Sequence, residues 1–440
     1  MNRKMTVGNE KIARIFDSGT FVELGAYIKR NGESEAYNGV ICGYGSVSGK
    51  LAFAFVQDSD RLKGAFDCTG AKKIEMLYDA AVKNGAPVIG VFNSAGTVVL
   101  DGSEALSAYG RFMSCVSEAS GIIPQIAIID GICTGMALAT ASVFDLAISV
   151  EDSAVAYMTA DSKREKAIKL AKRCESGVQA YDFVRELVQI LPQNSGDNAA
   201  IMSGDDAGRA VLIDGLTGAS LIKAMCDNAS YTELYADMGS CVSVGFAFFG
   251  GELCGVVCTN KDSKKGGKLC GCGAKKAAEL VNFCNRFGIG VLTLVDSQGL
   301  ADSEQSEPFG ALASAYINAD VPKVTLITGK AYGASFTLLG SKSLGADVAL
   351  ALEGATISVM APETAVAFIM NDEISAEKSR EQVESEWCER YASATRAAEK
   401  GDIDDIIPAD EARARICSAF YMLSAKSESR TRKCAKTPLC

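Results

Sequence analysis

Two glycine-containing turns are where chemistry is most readily read in this 440-residue sequence. Gly131-Ile-Cys-Thr-Gly135-Met136 and Gly329-Lys-Ala-Tyr-Gly333-Ala334 each follow a short apolar run, Gln125 to Ile129 or Lys323 to Ile327, and each precedes a stretch that reads as helix. A strand that enters a helix through such a turn aims free backbone N–H groups at whatever lies before it. Donors of this kind suit a developing oxyanion, such as an enolate, and need no titrating side chain. That matters because the sequence contains no histidine, which removes the usual general base, the usual triad partner and the commonest metal ligand. One such glycine alone is better explained by close helix packing; the same turn twice favours the functional reading.

The two turns belong to a longer repeat. Gly70-Ala-Lys-Lys73 through Ser94-Ala-Gly96 matches Gly273-Ala-Lys-Lys276 through Ser297-Gln-Gly299 at a constant offset of 203 residues. Gly43 to Gly49 matches Gly245 to Gly251 at 202, Pro124 to Gly135 matches Pro322 to Gly333 at 198, and Glu151 to Met158 matches Glu353 to Met360 at 202. Registers agreeing this closely mark a duplication. Each copy reads as strands about a Gly-rich turn, such as Lys50 to Val56, then an amphipathic helix, Ala71 to Asn84 or Ala274 to Phe287. A buried strand comes next, Pro87 to Phe92 or Ile289 to Val295, then a second helix and the strand that enters the candidate turn. The order predicts an α/β fold of stacked, right-handed βαβ units. Between the copies, residues 161–220 read as polar and partly helical, with a surface turn at Pro192 to Asp197. The boundary is placed near Asp227, giving domains 1–226 and 227–440. A charged helix over 375–400 and a basic tail from Ser424 close the second copy.

Composition narrows the function classes. The chain is 48% hydrophobic and 22% charged with 43 glycines, which suits a folded α/β protein of two domains. A net charge of −10, with no basic cluster before the tail, argues against nucleic acid as a partner. The 16 cysteines include no CxxC pair; Cys254/Cys258 and Cys270/Cys272 are close but do not predict zinc, so no metal is expected. With neither a secretory leader in Met1 to Phe16 nor a membrane span, these thiols read as reduced and the protein as soluble and cytoplasmic. The most apolar stretch, Gly131 to Val150, carries Asp145 and reads as a buried helix leading into a strand. Lys72, Lys73, Lys275 and Lys276 open equivalent helices; a solvated face explains at least three of them, and one pair could contact phosphate.

Taken together, these segments resemble the carboxyltransferase family of the crotonase superfamily, which includes propionyl-CoA carboxylase β subunits and the α subunits of methylmalonyl-CoA and glutaconyl-CoA decarboxylases. The resemblance is carried in the first half by Asn38-Gly-Val to Gly49, Gly85-Ala-Pro-Val-Ile-Gly90 and Ser120-Gly-Ile-Ile-Pro-Gln-Ile-Ala127 with the Gly131 turn. In the second half Lys275-Lys-Ala-Ala278 to Asp296, Val321-Pro-Lys-Val to Gly333, Ile357-Ser-Val-Met360 and Gly401 to Ile407 carry it. It implies two tandem crotonase-like ββα spiral domains, with acyl-CoA on the first and carboxybiotin on the second. It further implies that the amides of Gly135 and Met136 hold the thioester enolate and those of Gly333 and Ala334 the biotin ureido oxygen, the decarboxylated biotin taking the proton. Lys73 matches a lysine near the CoA phosphates, and Gly96, Gly131, Gly299 and Tyr332 match cofactor-contacting positions. Asp58, Arg61 and Lys63 could form part of a CoA channel or be ordinary solvated loop charges.

Met136 stands where the family has a second glycine, and Ser94-Ala-Gly-Thr-Val98 where it commonly has Ser-Gly-Gly-Ala-Arg. Backbone donors survive these departures, while pocket shape need not. No Met-Lys-Met biotin-attachment motif occurs, so biotin is expected on a separate biotin carboxyl carrier protein. The remaining partners implied are a biotin carboxylase or membrane decarboxylase subunit and further copies in a dimer-based homo-oligomer, up to a hexamer. The expected function is carboxyl transfer between carrier-bound biotin and a short acyl-CoA. Two alternatives stay open: a biotin-independent crotonase-type decarboxylase, hydrolase or isomerase using a carboxylate such as Asp101, Glu104 or Asp130, and a non-catalytic scaffold subunit.

Overall fold

A computed structural model of the chain describes residues 6–29, 39–159, 168–301, 305–375 and 378–426. The chain forms two compact units, Met1–Ala200 and Ile201–Cys440.

The first unit contains strands β1 (Val22–Glu23), β2 (Val40–Val47), β3 (Lys50–Gln57), β4 (Val88–Ser94), β5 (Gln125–Thr134), β6 (Leu146–Val150), β7 (Val155–Tyr157) and β8 (Lys172–Cys174). Its helices are α1 (Val7–Ile15), α2 (Cys68–Asn84), α3 (Ser103–Ala119), α4 (Met136–Ala141) and α5 (Gly177–Ile190). The sheet runs β1-β2-β3-β4-β5-β6-β8, with β7 paired to β5 off this path. β2 and β3 form a hairpin through Ser48 and Gly49, both at positive φ, as a tight turn between right-twisted strands requires. From β3 onward the strands are parallel, and every residue of β4 is buried, which explains its unbroken apolar run. Asp67 caps α2 by accepting the Gly70 N–H at 2.7 Å, and Gly85 at φ 59° ends it. The core between sheet and helices is aromatic: Phe55 meets Phe112 edge-on at 5.2 Å, and Phe92 meets Phe144 edge-on at 5.4 Å.

The second unit repeats this order. Helix α6 (Gly218–Met225) precedes β9 (Thr232–Leu234), β10 (Val242–Phe249), β11 (Glu252–Thr259), α7 (Gly271–Arg286), β12 (Gly290–Ser297), α8 (Glu307–Asn318), β13 (Lys323–Tyr332), α9 (Ala334–Leu338), β14 (Val348–Leu352) and β15 (Thr356–Ser358). Next come α10 (Pro362–Ile369), α11 (Arg380–Trp387), α12 (Ala394–Lys400), β16 (Asp405–Ile407) and α13 (Ala412–Leu423). Its sheet order, β9-β10-β11-β12-β13-β14-β16 with β15 paired to β13, reproduces the first strand for strand. The duplicated α/β architecture expected from the repeat is therefore present in topology as well as in sequence.

Three local expectations differ from what is found. The strands entering the candidate turns run on past Ile129 and Ile327 to Thr134 and Tyr332, because their second halves pair with β7 and β15; the helices beyond are correspondingly short. The units divide between Ala200 and Ile201, ahead of the Asp227 boundary read from the repeat. Residues 201–227 pack on the second unit: α6 buries Leu221, Ile222 and Met225 among Val256, Leu292 and Phe420, and Asp227 pairs with the fully buried Arg413 of α13. The charged helix is broken into α11, a wider π turn at Cys388–Ala392, and α12, which Ser393 caps. The basic tail beyond residue 426 and the start of the 161–220 linker lie outside the described residues. Among the described residues no helix is long and apolar enough to cross a membrane.

Candidate active site

Each candidate turn is built by the kink that divides its strand. In β5 the parallel register with β4 holds from Gln125 to Ile129, then jumps so that Ser94 faces Cys133; in β13 it holds to Ile327, then jumps so that Ser297 faces Ala331. Extra residues on one strand bend it and re-aim the segment beyond them. Gly131 and Gly329 sit in these jumps. Gly131 has φ 136°, and a Cβ there would lie 2.1 Å from Asn93 Oδ1; at Gly329 it would lie 2.7 Å from Asp296 Cγ.

The side chains crowding these glycines hold the turns in place. Asn93 Oδ1 accepts the Ile132 N–H at 3.2 Å, and Asp296 Oδ1 accepts the Lys330 N–H at 2.9 Å. Asn93 N–H in turn donates to Gln57 Oε1 at 3.3 Å and Asp296 N–H to Thr259 Oγ1 at 2.6 Å. The same three-point clamp thus recurs in both units, neutral in the first and anionic in the second. Lys261 Nζ lies 3.8 Å from Asp296, and Lys330 is exposed beside it.

Beyond the kink, Gly135 adopts φ 53°, ψ −121° and Gly333 φ 56°, ψ −142°, backbone conformations that exclude most other residues. Two donors per turn were expected, and one of each pair is committed: Gly135 N–H donates to the Tyr157 carbonyl at 3.1 Å, and Gly333 N–H to the Ser358 carbonyl at 2.8 Å. The N–H groups of Met136 and Ala334, at the heads of α4 and α9, have no acceptor among the described residues. Each turn therefore presents an uncommitted donor, anchored by its glycine to the neighbouring strand. The Met136 side chain is 37% exposed.

The Ser-x-Gly turns lie alongside. Gly96, at φ 119°, donates to Ser94 Oγ at 3.1 Å. Gly299, at φ 106°, accepts from the Leu269 N–H at 2.9 Å, and a Cβ on it would approach the Tyr332 carbonyl at 3.7 Å. Tyr332 is buried and its hydroxyl bonds to Thr356; burial raises its pKa. Gly96, Gly131 and Gly135 are thus gathered at one turn cluster, and Gly299, Tyr332, Gly333 and Ala334 at the other.

Lys73 is placed otherwise than a phosphate ligand. It is 3% exposed, and its ammonium donates to the Val40 carbonyl at 2.5 Å and to Glu23 Oε1 at 3.3 Å, turned into the core. Lys276 is equally buried, on the Tyr235 and Met238 carbonyls at 3.1 and 2.7 Å, whereas Lys72 is exposed and Lys275 half-buried. Asp58 is also buried, accepting the Asp60 N–H at 3.1 Å. Asp130, the carboxylate nearest the first turn in sequence, is held by Ser153 Oγ at 2.6 Å, Tyr181 Oη at 2.9 Å and Lys11 Nζ at 3.1 Å. Burial opposes its ionisation, but these partners outweigh burial and keep its carboxyl below the usual range. The residues missed by sequence reasoning are Asn93 and Asp296; their only signal was their place immediately before each Ser-x-Gly turn.

Comparison with known proteins shows the family to which the chain belongs. The model of the carboxyl transferase domain matches residues 2–168 and 173–437. The chain is 32% identical to the methylmalonyl-CoA decarboxylase α subunit of Propionigenium modestum, over 97% of this chain and 91% of that one. It is 31% identical to the propionyl-CoA carboxylase carboxyltransferase subunit of Haloferax mediterranei, over 98% of this chain and 92% of that one. Among solved structures, transcarboxylase 12S, a hexamer with hydrolysed methylmalonyl-coenzyme A bound, superposes with a TM-score of 0.92 at 27% identity, over 99% of this chain and 93% of that one.

Proposed function

Because the chain belongs to the carboxyl transferase family, we propose that it moves a carboxyl group between carrier-bound biotin and a short acyl-CoA of the propionyl/methylmalonyl type, using one turn cluster for each reactant. It is a biotin-dependent acyl-CoA carboxyltransferase with two crotonase-like halves. The observation that carries the two-site reading is the recurrence of one clamped turn, with an uncommitted N–H at Met136 in the first half and at Ala334 in the second. In the direction of carboxylation, biotin supplies the carboxyl group and an enolate of the acyl thioester accepts it. The Met136 amide faces the charge that develops on the thioester oxygen, and the Ala334 amide faces that on the ureido oxygen. A fixed backbone dipole needs no reorganisation as such charge forms, so the chemistry proceeds without histidine.

Of the carboxylates that a biotin-independent reaction could use, Asp130 is already engaged, its oxygens occupied by Ser153, Tyr181 and Lys11. A carrier protein and a carboxylase or membrane decarboxylase subunit complete the system, and the reduced thiols of every described cysteine suit a cytoplasmic setting. Exposed apolar residues occur in both halves, Val99 and Leu100 shortly after the Gly96 turn and, in the second half, Val359 just after β15 and Phe368 and Ile369 on α10. They support assembly with further copies of the chain.

Substituting proline tests the donors directly. Met136 and Ala334 are the first residues of their helices, where proline is tolerated while removing the N–H. The preceding glycines, at ψ −121° and −142°, lie outside the α region that proline disfavours in its neighbour. Transfer from methylmalonyl-CoA to free biotin is expected to slow by roughly 100-fold in Met136→Pro and in Ala334→Pro, with thermal unfolding little changed. Wild-type rates in both folded variants would overturn the assignment.

A further inference from the structure

The second unit carries a pair of touching thiols that carboxyl transfer does not use. Cys241, just before β10, and Cys270, at the head of α7, place their sulfurs 3.1 Å apart. Cys270 Sγ accepts the Gly273 N–H at 3.4 Å, while Cys241 Sγ accepts the Cys270 N–H at 3.3 Å. Both sulfurs therefore face backbone donors at the first turn of a 16-residue helix. The ammonium of Lys276, in the next turn of α7, is buried with carbonyl partners; burial raises the Cys241 thiol, and the Lys276 charge opposes that rise without overcoming it.

The first unit shows that capping alone does not call for this arrangement. Its equivalents of Cys241 and Cys270 are Gly39 and Asp67, and Asp67 caps α2 through a 2.7 Å bond to the Gly70 N–H. A thiol is a weaker acceptor than a carboxylate, so the second copy has given up cap strength and placed a second sulfur against the first.

We propose that Cys241 and Cys270 form a reversible disulfide site, oxidised by a low-molecular-weight disulfide such as oxidised glutathione. The half-buried Cys270 is reached first: its thiolate attacks the glutathione disulfide, forming a protein–glutathione mixed disulfide and releasing one glutathione thiolate. Cys241 is 2% exposed, and burial pushes its thiol up to about 12, so it acts second. Its sulfur attacks that of Cys270, the protein disulfide forms and a second glutathione thiolate leaves. The protons of the two protein thiols end on the released glutathiones; two electrons pass from protein to glutathione disulfide.

The bond would tie the Cys270 end of the segment between β11 and α7 to Cys241, just before β10, whose carbonyl already holds the other end of that segment. Asn260 N–H donates to the Cys241 carbonyl at 2.8 Å, and Leu269, beside Cys270, holds the Gly299 carbonyl and receives the Ala301 N–H at 2.9 and 2.8 Å. Oxidation therefore acts on the loop that supports the Gly299 turn.

The test is to equilibrate the full-length protein in glutathione buffers of rising oxidised fraction, trap free thiols by alkylation in acid, and map linked peptides by mass spectrometry. The expected result is a Cys241–Cys270 cross-link that grows with oxidation, reverses with dithiothreitol and persists in Cys272→Ser. Cys241→Ser is expected to arrest at a Cys270–glutathione adduct. The mapping on unmutated protein decides the matter without relying on that variant. Cys241 remaining alkylatable at every ratio, or a cross-link through the exposed Cys272 instead, would overturn the proposal, and neither result bears on carboxyl transfer.

Discussion

Asn93 and Asp296 perform one mechanical task with different charge: each receives the N–H that comes after a kink glycine and so fixes where the next turn points. Replacing Asn93 with alanine leaves the Ile132 N–H without its acceptor and opens space beneath Gly131. A lost bond of this kind is worth about 1–1.5 kcal/mol, so steady-state transfer is expected to slow roughly 10-fold, chiefly in kcat, because the donor is displaced more than the binding surface. Asp130 gives a second residue-scale expectation. Its folded-state carboxyl is held below the ordinary range, by Ser153, Lys11 and Tyr181 acting against burial. The stability it lends is complete above the unfolded carboxylate pKa of about 4 and is lost as pH falls through the depressed value. Asp130→Asn should therefore lower the unfolding temperature at neutral pH and flatten its decline in acid, as read by calorimetry across that window. The donors themselves were legible as Gly-Met and Gly-Ala steps after buried strands. The clamp was not, because a side chain crossing from Asn93 to Ile132 leaves no periodicity along the chain. Nor was the inward turn of Lys73, since an amphipathic helix places lysines on its solvated face and its core face by the same spacing rule.

At the scale of elements, strand order and crossover helices were readable because buried parallel strands are written as apolar runs and their helices as amphipathic ones. Element ends were less so. β5 outlasts its apolar run because Ile132, Cys133 and Thr134 find a second partner in β7, a pairing set by tertiary structure. The link ahead of β9 joins the second unit for a similar reason, which Arg413 makes testable. Its guanidinium is fully buried, paired with Asp227, and donates to the Met225 carbonyl at 3.0 Å; Asp227 also accepts the Gly251 N–H at 2.7 Å. Arg413→Ala leaves that carboxylate uncompensated in the interior, a loss of about 3–5 kcal/mol. A chemical denaturation curve should show the second unit unfolding at distinctly lower denaturant, with the first unit's transition in place.

For the whole molecule, the repeat gave the architecture and the resemblance gave the chemistry, but neither named the surfaces that meet another copy. Leu100 at 93% exposure and Phe368 at 85% are unusually open for apolar side chains. Native mass spectrometry is expected to find multiples of the 46.1 kDa chain, and Phe368→Asp to shift the distribution toward smaller species.

The division between Ala200 and Ile201 also bears on how the protein is made. At about 5–20 residues per second, the ribosome would take roughly 10–50 seconds to deliver everything after Ile201. Throughout that interval the strands of the first unit's sheet, which among the described residues pair only with strands from their own half, have already been synthesised. The second unit then arrives carrying the same strand order, and β12 could in principle dock where β4 belongs. Early closure of the first sheet removes that competitor before it exists, so the order of synthesis protects a duplicated fold from pairing with its own copy.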